Sequence, residues 1–596
     1  MTALHSAVGL LSSCVSPSGA TTTNAGFCGV RASLHISVSY LSIAPMLVMG
    51  IGALVILAVS AVLPKRQWPG LWPALTLIIG AVATIVAIGN WVDLSNYHSH
   101  AGATIGQQIL YDHFTVFFEI LIGSATVLGA LLSDSYLQRE GLDGPEAYAL
   151  MILSGLGGML MAGSAGLVML FLGLEILSIA LYVMSAYHRR RVQSGEAGLK
   201  YFILGSFSSA IFLYGAALLY GATGSTQFGE IGAFLASNAL VHNGILLAGM
   251  ALVIVGLGFK VAAVPFHFWT PDVYQGAPTP FTAYMAAVAK AGGFAGLLRV
   301  LNEALPSQEA NWRPIIWVLA VLSLVVGSVL ALVQKDLKRM LAYSSISQAG
   351  YVLVGVQAGN PAGTASTLFY LLTYVFIVMG SFAVISVIQE EGEVRNDLGA
   401  IRGLSRRSPR LAAAMLIFLL AQAGVPFTSG FLAKFYVISA VIQRGQYPLA
   451  VIAMLAAAIA AFFYLRVGLL MYLPVHGDGA VSPSGGGVGG IADGSGLGSS
   501  ESPADPDALE PIDSAAVAGL EPTGAGLSPG PGAVAAAGGA APVGASVAGT
   551  LEPPSDAKVE IPLTVSIALV VCVAFTIFAG VSNPVIDFAR HATTLF

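Results

Sequence analysis

The chain has 596 residues, 56% of them hydrophobic and 9% charged, with a mean hydropathy of +0.81. A soluble domain carries about 25% charged residues, so the composition excludes one large soluble core and implies a polytopic membrane protein. The formal net charge is −5, but residues 475–560 hold 11 acidic residues and one basic one, leaving 24 Lys+Arg against 19 Asp+Glu elsewhere.

Cys14, Cys28 and Cys572 have no metal-ligand spacing, which argues against zinc or iron–sulfur sites. No Gly-rich phosphate fingerprint follows a strand, and no Lys/Arg run suggests nucleic acid. Residues 1–40 are read as an N-terminal tail, because they lack the basic start and long apolar run of a signal peptide.

Runs long enough to cross a bilayer, about 17–25 residues, fall near 41–63, 72–92, 111–132, 147–165, 167–187, 197–220, 243–266, 280–301, 313–334, 340–357, 364–389, 410–440, 449–473 and 561–580. The reading is an all-α polytopic membrane protein of about 14 spans. The expected units are a first group of three spans (41–132), two five-span repeats (147–303 and 312–473) and a last span (561–580).

Basic residues fall in alternate connections: 14 on one side, including Arg189, Arg190, Arg191, Lys338, Arg406 and Arg410, and five on the other, Arg31, Arg299, Arg313, Arg444 and Arg590. The positive-inside rule puts the richer side in the cytoplasm. Both termini are then expected outside, with residues 475–560 forming a cytoplasmic loop. That loop is acidic and rich in Gly, Ala, Pro and Ser, a composition that favours disorder.

The stretch 259–290 reads FKVAAVPFHFWTPDVYQGAPTPFTAYMAAVAK. It carries Lys260, then Pro265 and His267, then Lys290. Proline removes a backbone donor and breaks a helix, which is tolerated in a membrane only where the backbone is buried in protein or lines water. Val264-Pro265-Phe266 recurs as Val425-Pro426-Phe427, with Lys434 nearby. Each copy interrupts a span, the seventh and the twelfth. An odd number of spans per unit inverts successive units, an architecture used for ion translocation.

Six ionisable residues are read inside spans: Glu119, Glu175, Lys200, Lys260, Lys290 and Lys434. Their summed insertion cost is on the order of 15 kcal/mol, so they are expected to be paired, hydrated or neutral. Glu175 and Lys200 belong to consecutive antiparallel spans, and contact between them is expected. A lysine beside a carboxylate keeps its proton, whereas one left in a dry site gives it up. The pair therefore reads as a proton switch or as a static ion pair. His267 reads as a proton carrier or as a cap on the broken helix. Ser344, Ser345, Ser347 and Gln348 put a polar stripe on an apolar helix. Glu119 has no evident partner.

The stretches LEILSIALYV, EAGLKYFILGSFSSAIFLYG, FKVAAVPFHFWTPDVYQGAPTP, DLKRMLAYSSISQAGYVLVG and GVPFTSGFLAKFYV resemble the antiporter-like membrane subunits of respiratory complex I, in the branch of subunit N. The resemblance implies two inverted five-helix repeats with broken seventh and twelfth helices, and one proton channel driven by redox chemistry elsewhere in the complex. It gives Glu175, Lys200, Lys260, Lys290 and Lys434 the positions of that family's relay. It implies no cofactor in this chain, with NADH, FMN, iron–sulfur clusters and quinone in partner subunits. Those partners are L-, M-, K-, J- and A-like membrane subunits in a bacterial plasma membrane. The family often has histidine where Gln348 stands, and the long acidic segment is a departure. A subunit of a multisubunit cation/proton antiporter is the alternative reading.

Overall fold

In a computed structural model of the chain, the described residues are 40–63, 70–97, 101–104, 106–238, 243–389, 393, 396–474, 558–582 and 584–593. The expected N-terminal tail, except Tyr40, and residues 475–557 of the acidic loop lie outside them.

Three helices come first: α1 Ala44–Val62, α2 Leu71–Asn96 and α3 His113–Arg139. A two-stranded antiparallel ribbon, β1 Gly102–Thr104 with β2 Ile109–Tyr111, leads into α3. Asp112 caps α3, its side chain accepting from the Thr115 amide at 2.7 Å, which satisfies one of the free donors at a helix start.

The first repeat runs through α4 Pro145–Ala162, α5 Leu167–Ser185, α6 Val192–Thr223, a short α7 Phe228–Ser237, the broken pair α8 Gly244–Lys260 and α9 Trp269–Gly276, and α10 Thr279–Arg299. The second runs through α11 Glu309–Leu332, α12 Leu337–Gln357, α13 Pro361–Ile388, a one-turn α14 Leu404–Arg407, the broken pair α15 Pro409–Ala423 and α16 Ser429–Gln443, and α17 Tyr447–Tyr472. The chain closes with α18 Leu563–Val581 and α19 Pro584–His591.

Among the described residues, eleven helices are long and apolar enough to cross a membrane. Adding α12 and counting each broken pair as one crossing gives fourteen. Pairing repeats between the two units: α4 packs on α5 as α11 packs on α12, and α6 packs on α8 as α13 packs on α15 and α16. Small residues permit the close approaches. A side chain at Gly157 would meet the backbone of α5 at Leu177, and one at Gly327 would meet the backbone of α12 at Ser347.

The centre of the molecule is α10, every residue of which is buried. It carries Lys290 and packs against α3, α4 and α13. At the periphery, α1, α2, α6, α17 and α18 expose large apolar side chains such as Leu54, Ile85, Phe207, Phe462 and Val570, the surface expected of helices facing hydrocarbon.

Candidate functional site

Each broken helix places a lysine at its break. α8 ends at Lys260, and residues 261–268 turn away with Ala262 at φ 62°. Pro265 supplies no donor there, and the freed backbone groups find partners from other helices. The Val264 amide donates to Ser323 Oγ of α11 at 2.9 Å, and Trp269 Nε1 donates to the Phe259 carbonyl at 2.9 Å. In the second repeat, α15 ends on Gly424 at φ 89°, and α16 restarts at Ser429 beyond Pro426.

Lys260 is buried. Its Nζ donates to Ser178 Oγ at 2.9 Å and to the Tyr201 hydroxyl at 3.4 Å, above the Tyr201 ring at 5.5 Å. Ser178 stands on α5 three residues after Glu175, hence on the same helix face. Glu175 Oε1 makes no hydrogen bond among the described residues.

Lys290 is buried and donates to the Ser345 carbonyl of α12, beneath the Tyr374 ring at 5.2 Å. Lys434 is buried and donates to the Gln422 and Ala423 carbonyls at 2.7 and 3.0 Å, over the Tyr351 ring at 4.8 Å. Those carbonyls close α15. The break thus supplies acceptors at the negative end of a helix, where an ammonium is favoured.

Polar groups of α12 and α15 lie between Lys290 and Lys434, without a continuous run of hydrogen bonds among the described residues. Ser345 Oγ pairs with the Tyr374 hydroxyl at 2.7 Å, and its neighbour Ser344 donates to Gln422 Oε1 at 3.1 Å. Gln422 carries one of the two carbonyls that receive Lys434. Gln348, on the same stripe of α12, donates to the Tyr464 hydroxyl at 3.0 Å and accepts from Tyr370. Among the described residues no hydrogen bond links Lys260 to Lys290; the Lys260 stem packs beside Gly293, three residues after Lys290. His267 is buried against Phe268, with Nδ1 unbonded and neither lysine within hydrogen-bond reach.

The expected contact between Glu175 and Lys200 is not formed. Lys200 pairs with Glu196 at 2.7 Å and with Asp272 of α9 at 2.8 Å, and its side chain is 43% exposed. The cause is helical phase. α6 meets α5 through Gly198 and Gly205, which touch Ala186 and Tyr182. Lys200 lies about 200° around the helix from Gly198 at ~100° per residue, on the opposite face. Lys200 therefore belongs to a different ionic group.

That group lies at the end of the bundle that bears Arg189, Arg190 and Arg191. Asp272 also accepts from Arg339 at 2.8 Å. Beside it, Glu393, in the connection before α14, pairs with Lys338 at 3.0 Å and Arg191 at 2.6 Å, and its other oxygen accepts from the Thr279 amide at 2.9 Å. Burial alone would raise the Glu393 carboxyl, but Lys338 and Arg191 outweigh it and hold it down at about 2. At the opposite end, Arg299, 1% exposed, pairs with Asp112 at 2.7 Å and donates to the Ala162 carbonyl at 2.9 Å. Arg299 is thus an internal tie rather than one of the loop cations the sequence places on that side. Glu119 is fully buried on α3, and neither of its oxygens has a hydrogen-bond partner among the described residues.

Sequence reading missed Asp272, Lys338, Glu393, Tyr201, Tyr374 and Gln422. Asp272 carries a signal in hindsight, a lone carboxylate inside the Pro/Gly-rich bend. Glu393 carries none, since it is one of several acids in a polar connection.

Two inverted units, each with a lysine at a helix break and with buried polar groups between them, define an antiporter-like membrane subunit. Residues 164–460 match the family described as NADH:quinone oxidoreductase/Mrp antiporter, transmembrane. The chain is 41% identical over 445 residues to NADH-quinone oxidoreductase subunit N of Trichlorobacter lovleyi, a match covering 74% of this chain and 89% of that relative. It is 40% identical over 478 residues to subunit N of Mycobacterium tuberculosis, covering 73% and 89%. The chain belongs to the subunit N family of NADH-quinone oxidoreductase. Among solved structures, it resembles a chain of Thermus thermophilus respiratory complex I with bound aureothin, at TM-score 0.61 and 35% identity, covering 72% and 90%. A chain of the Mrp complex from Dietzia shares the fold at TM-score 0.72 and 19% identity, covering 93% and 97%.

Proposed function

We propose that this chain is a proton-translocating subunit in the membrane arm of a bacterial NADH-quinone oxidoreductase. The observation that carries this reading is the row of buried lysines and polar groups, Lys290 on the Ser345 carbonyl, Ser344 on the Gln422 side chain and Lys434 on the Gln422 carbonyl, which extends from one inverted unit into the other. Each lysine sits among neutral acceptors and aromatic faces, surroundings in which a proton can be held or released according to the charges nearby. Glu175 is the acid that biases Lys260. When Glu175 approaches, Lys260 keeps its proton; when Glu175 withdraws, desolvation favours the neutral amine and the proton moves on toward Lys290. Lys200, with Glu196 and Asp272, stands at the surface as the link to a neighbouring subunit, and His267 exchanges protons at the first break.

In this reading the units are residues 41–132, 147–303, 312–473 and 561–580, with 475–560 as a connecting segment. NADH, flavin, iron–sulfur and quinone chemistry belongs to partner subunits, and the neighbours in the membrane are L-, M-, K-, J- and A-like chains. The side bearing Arg189, Arg190 and Arg191 faces the cytoplasm, and both termini lie outside. The Mrp likeness favours a cation/proton antiporter as the second reading, but identity to subunit N relatives favours the redox-driven complex.

The test is the Lys260→Ala variant in the purified, assembled complex, reconstituted into liposomes. Protons moved per NADH oxidised should fall while subunit composition stays intact. An unchanged ratio in the assembled variant would remove Lys260 from the path.

A further inference from the structure

Two helices begin side by side at the end of the bundle that carries Arg189, Arg190 and Arg191. α15 starts at Pro409 and α18 at Leu563, and a groove of about 1090 Å³ runs between them. Its mouth is lined by Arg406, Arg407, Arg410 and Lys558, and its walls by apolar side chains that include Leu411, Ile417, Leu569 and Val573. No carboxylate lines it among the described residues; Glu560 stands next to lining residues in the chain but does not line the groove.

We propose that this groove binds an anionic phospholipid, with the phosphate at Arg406, Arg410 and Lys558 and an acyl chain along Ile417, Leu569 and Val573. Four observations converge on that occupant. First, the cations gather where the chain enters two apolar helices, Arg406 and Arg410 about the start of α15 and Lys558 five residues before α18, the depth at which a lipid headgroup lies. Second, Arg407 is turned inward, donating to the Ala400 and Arg402 carbonyls at 2.8 and 3.3 Å. Arg410 and Lys558 are exposed and form no ion pair among the described residues. Third, Arg410 is the second residue of α15, and no side chain caps that helix start. A cation there opposes the helix dipole, and a phosphate satisfies both the free amides and the guanidinium. Fourth, the wall below the cations is long and apolar. Leu411 to Ile417 spans about 9 Å at ~1.5 Å per residue, and Val570 beside it is 68% exposed. A soluble anion would use the mouth and leave this wall bare, whereas a lipid uses both. The proposal is independent of the lysine path, and either can fail without the other.

The test uses the assembled complex, delipidated in a neutral detergent and titrated with photoreactive phosphatidylglycerol or photoreactive phosphatidylcholine, with labelled peptides mapped by mass spectrometry. Phosphatidylglycerol should label α15 and α18 at least about fivefold more than phosphatidylcholine does. Arg406→Gln, Arg410→Gln and Lys558→Gln together should lower that labelling roughly tenfold. If the triple variant does not assemble, Lys558→Gln alone, which lies outside every helix, should lower it severalfold. Removal of residues 475–557 should leave labelling unchanged. Equal labelling by the two lipids overturns the proposal, as does loss of labelling in millimolar inorganic phosphate, which would mark an anion site without a lipid. Labelling that appears only once residues 475–557 are removed would give the groove to the acidic segment. Absence of labelling in every case would give it to a partner subunit.

Discussion

Glu393 has none of its side chain exposed, yet it is charged, because Lys338 and Arg191 flank it and the Thr279 amide at the start of α10 donates to it. Replacing it with glutamine leaves the buried Lys338 and the half-buried Arg191 without their counter-charge. Breaking such a pair costs roughly 3–5 kcal/mol, so Glu393→Gln should lower the melting temperature of the detergent-solubilised complex at neutral pH. Adding Lys338→Met should restore part of the loss, because the stranded charge is gone; a double variant no more stable than the single one would refute the pairing. The pH dependence has a definite sign. The carboxyl is held at about 2 against an ordinary 4.5, so its contribution is complete above pH 4.5 and is lost as pH falls toward 2. The wild type should lose stability across that window more steeply than Glu393→Gln. A sequence could not expose this residue, since its partners lie 55 and 114 positions away along the chain. The four lysines were legible for the opposite reason, being charges within long apolar runs, and three of them are buried as that reasoning requires. Lys200 failed because burial depends on which face of a helix a residue occupies, and α6 is apolar nearly all round.

The broken helices were also legible, since a proline in an apolar span leaves few alternatives to a break. How closely the two halves of each break pack was not legible, because it is set by contacts across the gap. Gly430 in α16 lies so near the Ala421 carbonyl at the end of α15 that an added Cβ would collide with backbone. Gly430→Ala must push the halves apart and carry Lys434 away from the Gln422 and Ala423 carbonyls. Overpacking of this kind costs about 1–3 kcal/mol. The variant should therefore lose thermal stability and also lower the protons moved per NADH oxidised. Gly221→Ala, where a Cβ meets nothing within 4 Å, is the matched control and should change neither. If Gly430→Ala pumped as well as that control, the geometry at the second break would not matter to transport. The elements the sequence did not show are short ones: the β1–β2 ribbon, α7 and α19. Too short to span, they leave no long apolar run, though α19 does bury Val585, Ile586 and Ala589 against the bundle.

At the scale of the molecule, the two units are tied by side chains rather than by one shared helix. Lys290 of the first donates to Ser345 of the second, Arg339 of the second pairs with Asp272 of the first, and Lys338 donates to the Ala277 carbonyl. Ion pairs tie both ends of the bundle, Glu393 with Lys338 and Arg191 at one and Arg299 with Asp112 at the other, and the proposed lysine path runs between them, so its direction depends on which end faces the cytoplasm. The cation count predicts it: 14 loop cations on the Arg189 side against five on the other. Arg299 and Lys338 are both buried and paired, which removes one cation from each side and leaves the asymmetry standing. Gln193 lies at the start of α6 beside the basic connection, Gln443 lies at the end of α16 on the opposite side, and both are exposed. In a background with Cys14→Ser and Cys28→Ser, the remaining Cys572 is 2% exposed and gives little signal. A membrane-impermeant maleimide should then label Gln443→Cys in intact cells and Gln193→Cys only after permeabilisation. The reverse pattern would invert the chain, and a path that takes protons from the Arg189 side would then run from the wrong face of the membrane.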